Sequence, residues 1–160
     1  MLSVRLICVG KLGEQFWKTA CDEYAKRLSA YCKLEIIEIP EQRLPDSPSA
    51  GQIQQALARE ADLIRAKIPA GAAVFALCVE GKPLSSEELA DALGSLTVSG
   101  TSRLVLVIGG SCGLDETLKK DARLRLSMSK MTFPHHLARV MVLEQLYRSL
   151  NILGGGKYHK

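Results

Sequence analysis

Apolar residues along the chain fall into two rhythms. Runs dense in Val, Ile and Leu occupy Val4–Val9, Leu34–Ile39, Ala73–Val79 and Leu104–Ile108, with a weaker run at Arg123–Ser127. Their length and β-branched content predict buried strands. Between them the period lengthens. Trp17, Ala20, Cys21, Tyr24 and Leu28 recur at helical spacing, as do Ile53, Leu57, Ala61 and Ile64. A third helix opens on Ser85-Ser86-Glu87-Glu88, a capping box, and continues through Leu89 and Leu93. A short fourth is expected over Asp115–Ala122. Helices inserted regularly between apolar strands predict βαβ units and a largely parallel sheet, an α/β fold. The one breaker-rich stretch, Pro40–Gly51, reads as a connection, so residues 1–160 are expected to form a single domain.

The last helix, about His136 to Leu150, differs. Its apolar side chains spread almost all round the axis when placed at roughly 100° per residue. Such a helix is buried on more than one side, as when a second subunit covers it. Arg139 shares the sector of Leu143, Leu146 and Leu150. A cation there requires an anion or a hydrogen-bonding partner. The two readings are a carboxylate across an interface and an anionic substrate at its edge.

Composition narrows the class. With 47% hydrophobic and 24% charged residues the chain is an ordinary globular protein. No apolar stretch approaches the roughly 20 residues of a membrane span. The opening MLSVRLICVGKLG carries Arg5 inside its apolar run and reads as a first strand, not a signal peptide. Five cysteines form no C-x-x-C pair, and three histidines offer no zinc spacing. A cytoplasmic, metal-free protein is expected. Charge is uneven. Residues 1–100 carry 11 Lys and Arg against 13 Asp and Glu, a net of −2, whereas residues 101–160 carry 10 against 4, a net of +6. A basic C-terminal third points to an anionic partner, nucleic acid foremost, or else to a solvated basic face.

Candidate chemistry begins at VLVIGGSCGL, residues 105–114. Gly109-Gly110-Ser111-Cys112-Gly113 contains G-x-S-x-G, which would make Ser111 a nucleophile on an elbow. A triad would still need an acid and then a histidine. His135 and His136 follow too soon to leave room for a strand carrying the acid, and no oxyanion segment of the HGG type exists. The glycines are spaced G-G-x-x-G on the fourth strand, so the dinucleotide fingerprint fails. Gly81-Lys82 is followed by Pro83, so there is no phosphate-binding P-loop either. Three strand ends remain: 76–82, 108–111 and 127–135. Ligands of open parallel sheets gather at such ends. The last, Ser127-Met128-Ser129-Lys130-Met131-Thr132-Phe133-Pro134-His135, offers backbone groups for an adenine edge and an apolar floor from its methionines and Phe133. An ordinary strand-to-helix loop with methionines in the core is the other reading.

Taken together, V-I-G-G-S-x-G-L, L-S-x-S-K-M-T-F-P-H, R-V-x-x-x-E-Q-x-Y-R and the closing Y-H-K resemble the RlmH family. The likeness extends to V-G-K-L near the start and E-I-P after the second strand. That family comprises SPOUT-class methyltransferases acting on a pseudouridine of 23S rRNA in the large ribosomal subunit. The resemblance implies a SPOUT-type α/β knot, with a parallel sheet flanked by helices and a deep C-terminal trefoil, against the general rarity of knots. It implies a homodimer, S-adenosylmethionine as cofactor, and N3-methylpseudouridine as product, made on the assembled ribosome. Carried onto this chain, cofactor contacts are expected at Leu77, Gly109, Met128, Ser129, Lys130, Met131, Thr132 and Phe133, with Gly109 letting backbone approach the cofactor.

Methylating an imide nitrogen requires its proton to leave, so a base or a stabiliser of the anion is expected. Candidate catalytic residues are His135, Arg139, Tyr158 and His159, with Arg139, Arg148, Tyr158 and His159 on the substrate. His136 reads as structural. Gly154-Gly155-Gly156 predicts a flexible tail. The competing functions are a non-catalytic RNA- or ribosome-binding protein of the same fold, and a serine hydrolase using Ser111.

Overall fold

The five apolar runs become five strands in the computed structural model, which describes all of residues 1–160. They are β1 (Leu2–Val9), β2 (Cys32–Ile39), β3 (Ala73–Pro83), β4 (Arg103–Ile108) and β5 (Leu124–Ser127). All pairings are parallel, in the order β2-β1-β4-β3-β5. The connecting helices are α1 (Gln15–Leu28), α2 (Ala50–Arg65), α3 (Ser86–Val98), α4 (Glu116–Asp121) and α5 (His135–Leu153).

Alternation along the strands divides the core in two. Val4, Leu6 and Cys8 of β1 join Leu104, Leu106 and Ile108 of β4 against α1, α3 and α5. Ile7, Val9, Val105 and Val107 point the other way, onto Ala61 and Ile64 of α2 and Leu118 of α4. Burial on both faces is why these strands read as unbroken apolar runs.

Helix starts follow the sequence signals. Ser85 Oγ accepts the Glu88 N–H at 3.1 Å while Glu88 Oε2 accepts the Ser85 N–H at 2.9 Å. Ser49 and Gln52 form the same reciprocal pair at the head of α2.

Two elements depart from expectation. The third strand does not stop at Val79. Leu77 and Lys82 both face Leu126, so residues 78–81 leave the ladder and β3 returns to pair with β5. Gly81 permits the return, because a Cβ there would lie 2.8 Å from the carbonyl carbon and oxygen of Arg125. Helix α5 also finds much of the cover for its apolar circumference inside its own chain. It lies against both α1 and α3 of its own chain, with Val142, Leu143 and Leu146 buried. Two helical neighbours and the sheet cover what a single flat face could not. No helix is long and apolar enough to cross a membrane.

Glu60 of α2 is buried, and its Oε2 accepts the Gln42 N–H at 2.8 Å, holding the segment after β2. Burial raises its carboxyl above the usual range; the Gln42 N–H opposes this, and neighbouring Glu41 adds to it. The folded carboxyl therefore holds its proton more tightly than the unfolded one. Its contribution to stability is present below about pH 4.3 and is lost as pH rises through the raised value. Glu60→Gln, which can still accept the Gln42 N–H, is expected to be more stable than the parent at pH 7 in urea titrations. The gap should close towards pH 4; a variant less stable at pH 7 contradicts the assignment.

Candidate active site

At the carboxyl end of β1 the chain turns through Gly10, whose φ of +98° is open to glycine but strained for other residues. Arg139 of α5 reaches down to this turn. Its Nη2 donates to the Gly10 carbonyl at 3.2 Å, and its Nη1 to Glu38 Oε2 at 2.8 Å. The same carboxylate oxygen accepts the Leu12 N–H at 3.4 Å. Arg139 is 3% exposed and its Nε has no partner. The expectation for this residue is corrected on two counts. Its carboxylate is Glu38 of its own chain, and its guanidinium is enclosed instead of facing a ligand. The cost of burying a cation in the leucine sector selects this internal pair.

His135, the first residue of α5, packs over Gly10: a Cβ at Gly10 would lie 3.2 Å from His135 Cε1 and 3.6 Å from Glu41 Oε2. Burial, then neighbouring His136, lower the His135 pKa below the ordinary imidazole value; Arg139 pushes the same way and Glu41 opposes. No hydrogen bond occupies either ring nitrogen within the chain. Above its lowered pKa the ring is neutral and able to take a proton.

The glycine loop after β4 closes on itself. The Gly113 N–H donates to the Gly110 carbonyl at 3.1 Å, with Gly113 at φ +81°. Glu41 Oε1 accepts from the Ser111 N–H at 3.1 Å and from its hydroxyl at 2.5 Å. Ser111 therefore meets a carboxylate and no histidine, so the elbow reading lacks its base. The Gly109 expectation also changes in mechanism. A Cβ there would run into the Gly113 backbone, 2.6 Å from its carbonyl carbon, so the glycine serves the loop's own closure. Gly109→Ala must open that turn. We expect about tenfold or greater loss of affinity for the expected cofactor, S-adenosylmethionine, by calorimetry, from strain of about 1–3 kcal/mol; unchanged affinity would remove the loop from the site.

Between β5 and α5, residues 128–134 make few internal bonds. Ser127 Oγ donates to the Ser129 carbonyl at 2.9 Å, and Ser129 Oγ accepts the Met131 N–H at 3.0 Å. The N–H groups of Met128, Lys130, Thr132 and Phe133 have no partner within the protein. Met128 and Phe133 are half-buried, whereas Met131 is 73% exposed. A cavity of about 510 Å³ lies beside this loop, lined by Leu126, Ser127 and Met128 with Leu84, Met141 and Glu144. Leu77 is half-buried against the same core. Of the eight expected cofactor contacts, only Met128 lines this cavity.

The tail is folded down, contrary to the flexibility its glycines suggest. Asn151 Oδ1 accepts the Tyr158 N–H at 3.1 Å, and a Cβ on Gly156 would collide with the Asn151 side chain, 2.5 Å from its Cγ. Glu144 accepts from Arg148 Nη2 at 2.5 Å and from the Tyr158 hydroxyl at 3.2 Å. Arg148 also lies over the Tyr158 ring, 4.6 Å from its centroid. His159 is held on both nitrogens, with Nδ1 3.1 Å from Arg148 Nη1 and Nε2 2.7 Å from Glu87 Oε1. Arginine can only donate, so Nδ1 accepts and Nε2 carries the hydrogen. Burial, then the charge of Glu144, raise the Tyr158 phenol above its usual value, which makes it a donor at neutral pH.

The expected catalytic and substrate residues thus form two clusters. His135 and Arg139 stand at the start of α5, while Arg148, Tyr158 and His159 gather near its end. Arg148 stands thirteen residue steps beyond His135 on one helix, about 20 Å along the axis. Three carboxylates that organise these clusters were assigned no role from the motifs. Glu38 opens E-I-P and Glu41 follows it, and both meet partners far away in sequence. Glu144 could have been found, four residues before Arg148 on one helix face.

Burial pushes the Cys8 thiol up to about 12 and the Cys32 thiol to about 11, whereas Cys112 is exposed. No group of three or more His, Cys, Asp or Glu side chains is placed to hold a metal ion.

A family profile described as "Predicted SPOUT methyltransferase" matches residues 2–159. Proteins named "Ribosomal RNA large subunit methyltransferase H" from Acetivibrio thermocellus and from Clostridium novyi (strain NT) are each 46% identical to this chain over 159 residues. Each alignment covers 99% of this chain and 100% of the relative. Among solved structures, a "Probable Methyltransferase from Bordetella pertussis Tohama I" superposes with a TM-score of 0.55 over 92% of this chain and 95% of that one. At 18% identity this is a likeness of fold.

Proposed function

The chain belongs to the SPOUT methyltransferase family, and from that premise we propose that it methylates large-subunit ribosomal RNA, at N3 of a pseudouridine, in the cytoplasm. The observation that carries this reading is the 46% identity to rRNA methyltransferases along essentially the whole chain. The trefoil threading of the C-terminal part belongs to the same reading.

The residues fit S-adenosylmethionine. The loop 128–133 has unpartnered N–H groups and half-buried apolar side chains beside the sheet's carboxyl edge. Leu77, Gly109 and that loop would hold the cofactor, whose sulfonium supplies an electrophilic methyl group. What remains for the protein is orientation and a proton. Transfer to N3 would exchange the S–CH₃ bond for an N3–CH₃ bond and leave a neutral thioether, and His135 would take the proton released from N3. Tyr158 held protonated and His159 with both nitrogens engaged support His135 as the acceptor. Arg148 and the tail serve the uracil oxygens and phosphate. Arg139 positions Gly10 and, through it, the His135 ring.

The separation of about 20 Å between His135 and the tail cluster supports a homodimer in which the tail of one subunit completes the loop site of the other. The test is transfer of tritiated methyl from S-adenosylmethionine to intact ribosomes, free subunits and naked rRNA, with mapping of the product. Mixing a His135→Ala chain with one lacking Tyr158–Lys160 should restore activity, because about one site in four would be intact after random reassortment. No restoration overturns the shared site. Saturable ribosome binding without methyl transfer would favour a non-catalytic binder.

A further inference from the structure

Aromatic residues are only 5% of this chain and there is one tryptophan. Two of these aromatics stand side by side at the start of α1 and continue into both histidines of α5. The Phe16 and Trp17 ring centroids are 4.9 Å apart at 53°. Trp17 stacks on His136 at 6.3 Å and 16°, and His136 meets His135 at 3.9 Å. The outermost ring is the exposed one: Phe16 is 63% exposed, whereas Phe75 is 2%. The ladder therefore runs from solvent to the imidazole over Gly10, and Phe16 does little for the core of its own chain.

Cations outnumber carboxylates along the segment that carries the outer end. Lys11 and Lys18 flank the ladder in sequence, are exposed, and form no ion pair. Glu14 is the one carboxylate among residues 10–20. An open aromatic face beside free ammonium groups suits single-stranded nucleic acid, whose bases stack on the ring while phosphates meet the cations. We infer that Phe16, with Trp17 behind it, is a stacking platform for an unpaired base of the RNA near the methylated nucleotide. This rests on the rRNA reading above and adds a specificity-determining surface outside the cofactor loops and the tail. Continuity with His135 gives the platform its use: a base seated on Phe16 sets the distance of its neighbour from the imidazole.

As the sole tryptophan, Trp17 reports on its own site. Titrating the full-length protein with a single-stranded oligoadenylate of about ten nucleotides should quench its fluorescence saturably. Phe16→Ala should weaken that binding about tenfold and raise KM for ribosomes similarly, with S-adenosylmethionine affinity unchanged. Phe16→Tyr should restore both. Absent quenching, or equal affinity in Phe16→Ala, overturns the platform. So does a change of molecular mass in Phe16→Ala by light scattering, since Phe16 would then cover a subunit contact. Loss of ribosome affinity with oligonucleotide affinity retained assigns the ring to a ribosomal protein and overturns it too. Methylation by the wild type without quenching sinks the platform alone, whereas quenching without methylation sinks the enzymatic reading alone.

Discussion

Glu38→Gln should lower folding stability by about 3 kcal/mol, near the lower end for breaking a buried ion pair. The amide oxygen can still accept from Arg139, but the counter-charge is gone, and the guanidinium left behind is 3% exposed with Nε already unpartnered. The reverse change is milder. Arg139→Met leaves Glu38, whose side chain is 38% exposed and can be hydrated, so we expect about 2 kcal/mol or less. Urea midpoints at pH 7 decide the order, and a larger loss in Arg139→Met would contradict the picture of a cation imprisoned by its neighbours. Both changes loosen the Gly10 carbonyl and thus the seat of His135. A fall in turnover beyond the stability loss is expected in each.

Removing the proposed proton acceptor should cost more in rate than any other single change. His135→Ala is expected to lower kcat for methyl transfer by about 10² to 10⁴, with S-adenosylmethionine affinity within a few-fold of the parent. The sign of the pH dependence follows from the lowered pKa. Protonated imidazole cannot accept the N3 proton, so activity rises with pH through a value below about 6.5 and then levels. The acid limb should vanish in His135→Ala. Glu41→Gln removes the one neighbour that raises the histidine, so the limb should move to lower pH. Movement to higher pH, or an unchanged limb in His135→Ala, would mean that another group takes the proton.

Local pattern carried the elements. All five strands and all five helices lie within a few residues of where periodicity puts them, because each depends on residues close to one another in sequence. β1 and β2 begin two residues earlier than expected, paired with each other from Leu2 and Cys32, and β5 draws β3 on to Pro83. What the chain could not disclose were encounters between residues far apart. Glu38 and Arg139 are separated by 101 positions and Glu41 and Ser111 by 70, and no periodicity links them. The glycine loop makes the same point at short range. Its composition signalled close backbone approach, but the partner at Gly109 is the loop's own Gly113. The tail glycines suggested freedom, and Asn151 makes Gly156 a fitting instead.

The position of β1 inside the sheet, between β2 and β4, bears on how the molecule comes into being. Its first pairing, with β2, needs the chain only as far as Ile39, but its other edge waits for β4, beginning at Arg103. During synthesis the N-terminal strand, with Val4, Leu6 and Ile7 destined for complete burial, stays open along one side until some two-thirds of the protein has emerged. Pairings of that sequence separation are slow to form and leave apolar edges exposed in the meantime. The yield of the newborn chain should therefore depend on temperature and expression rate more than the stability of the finished fold suggests.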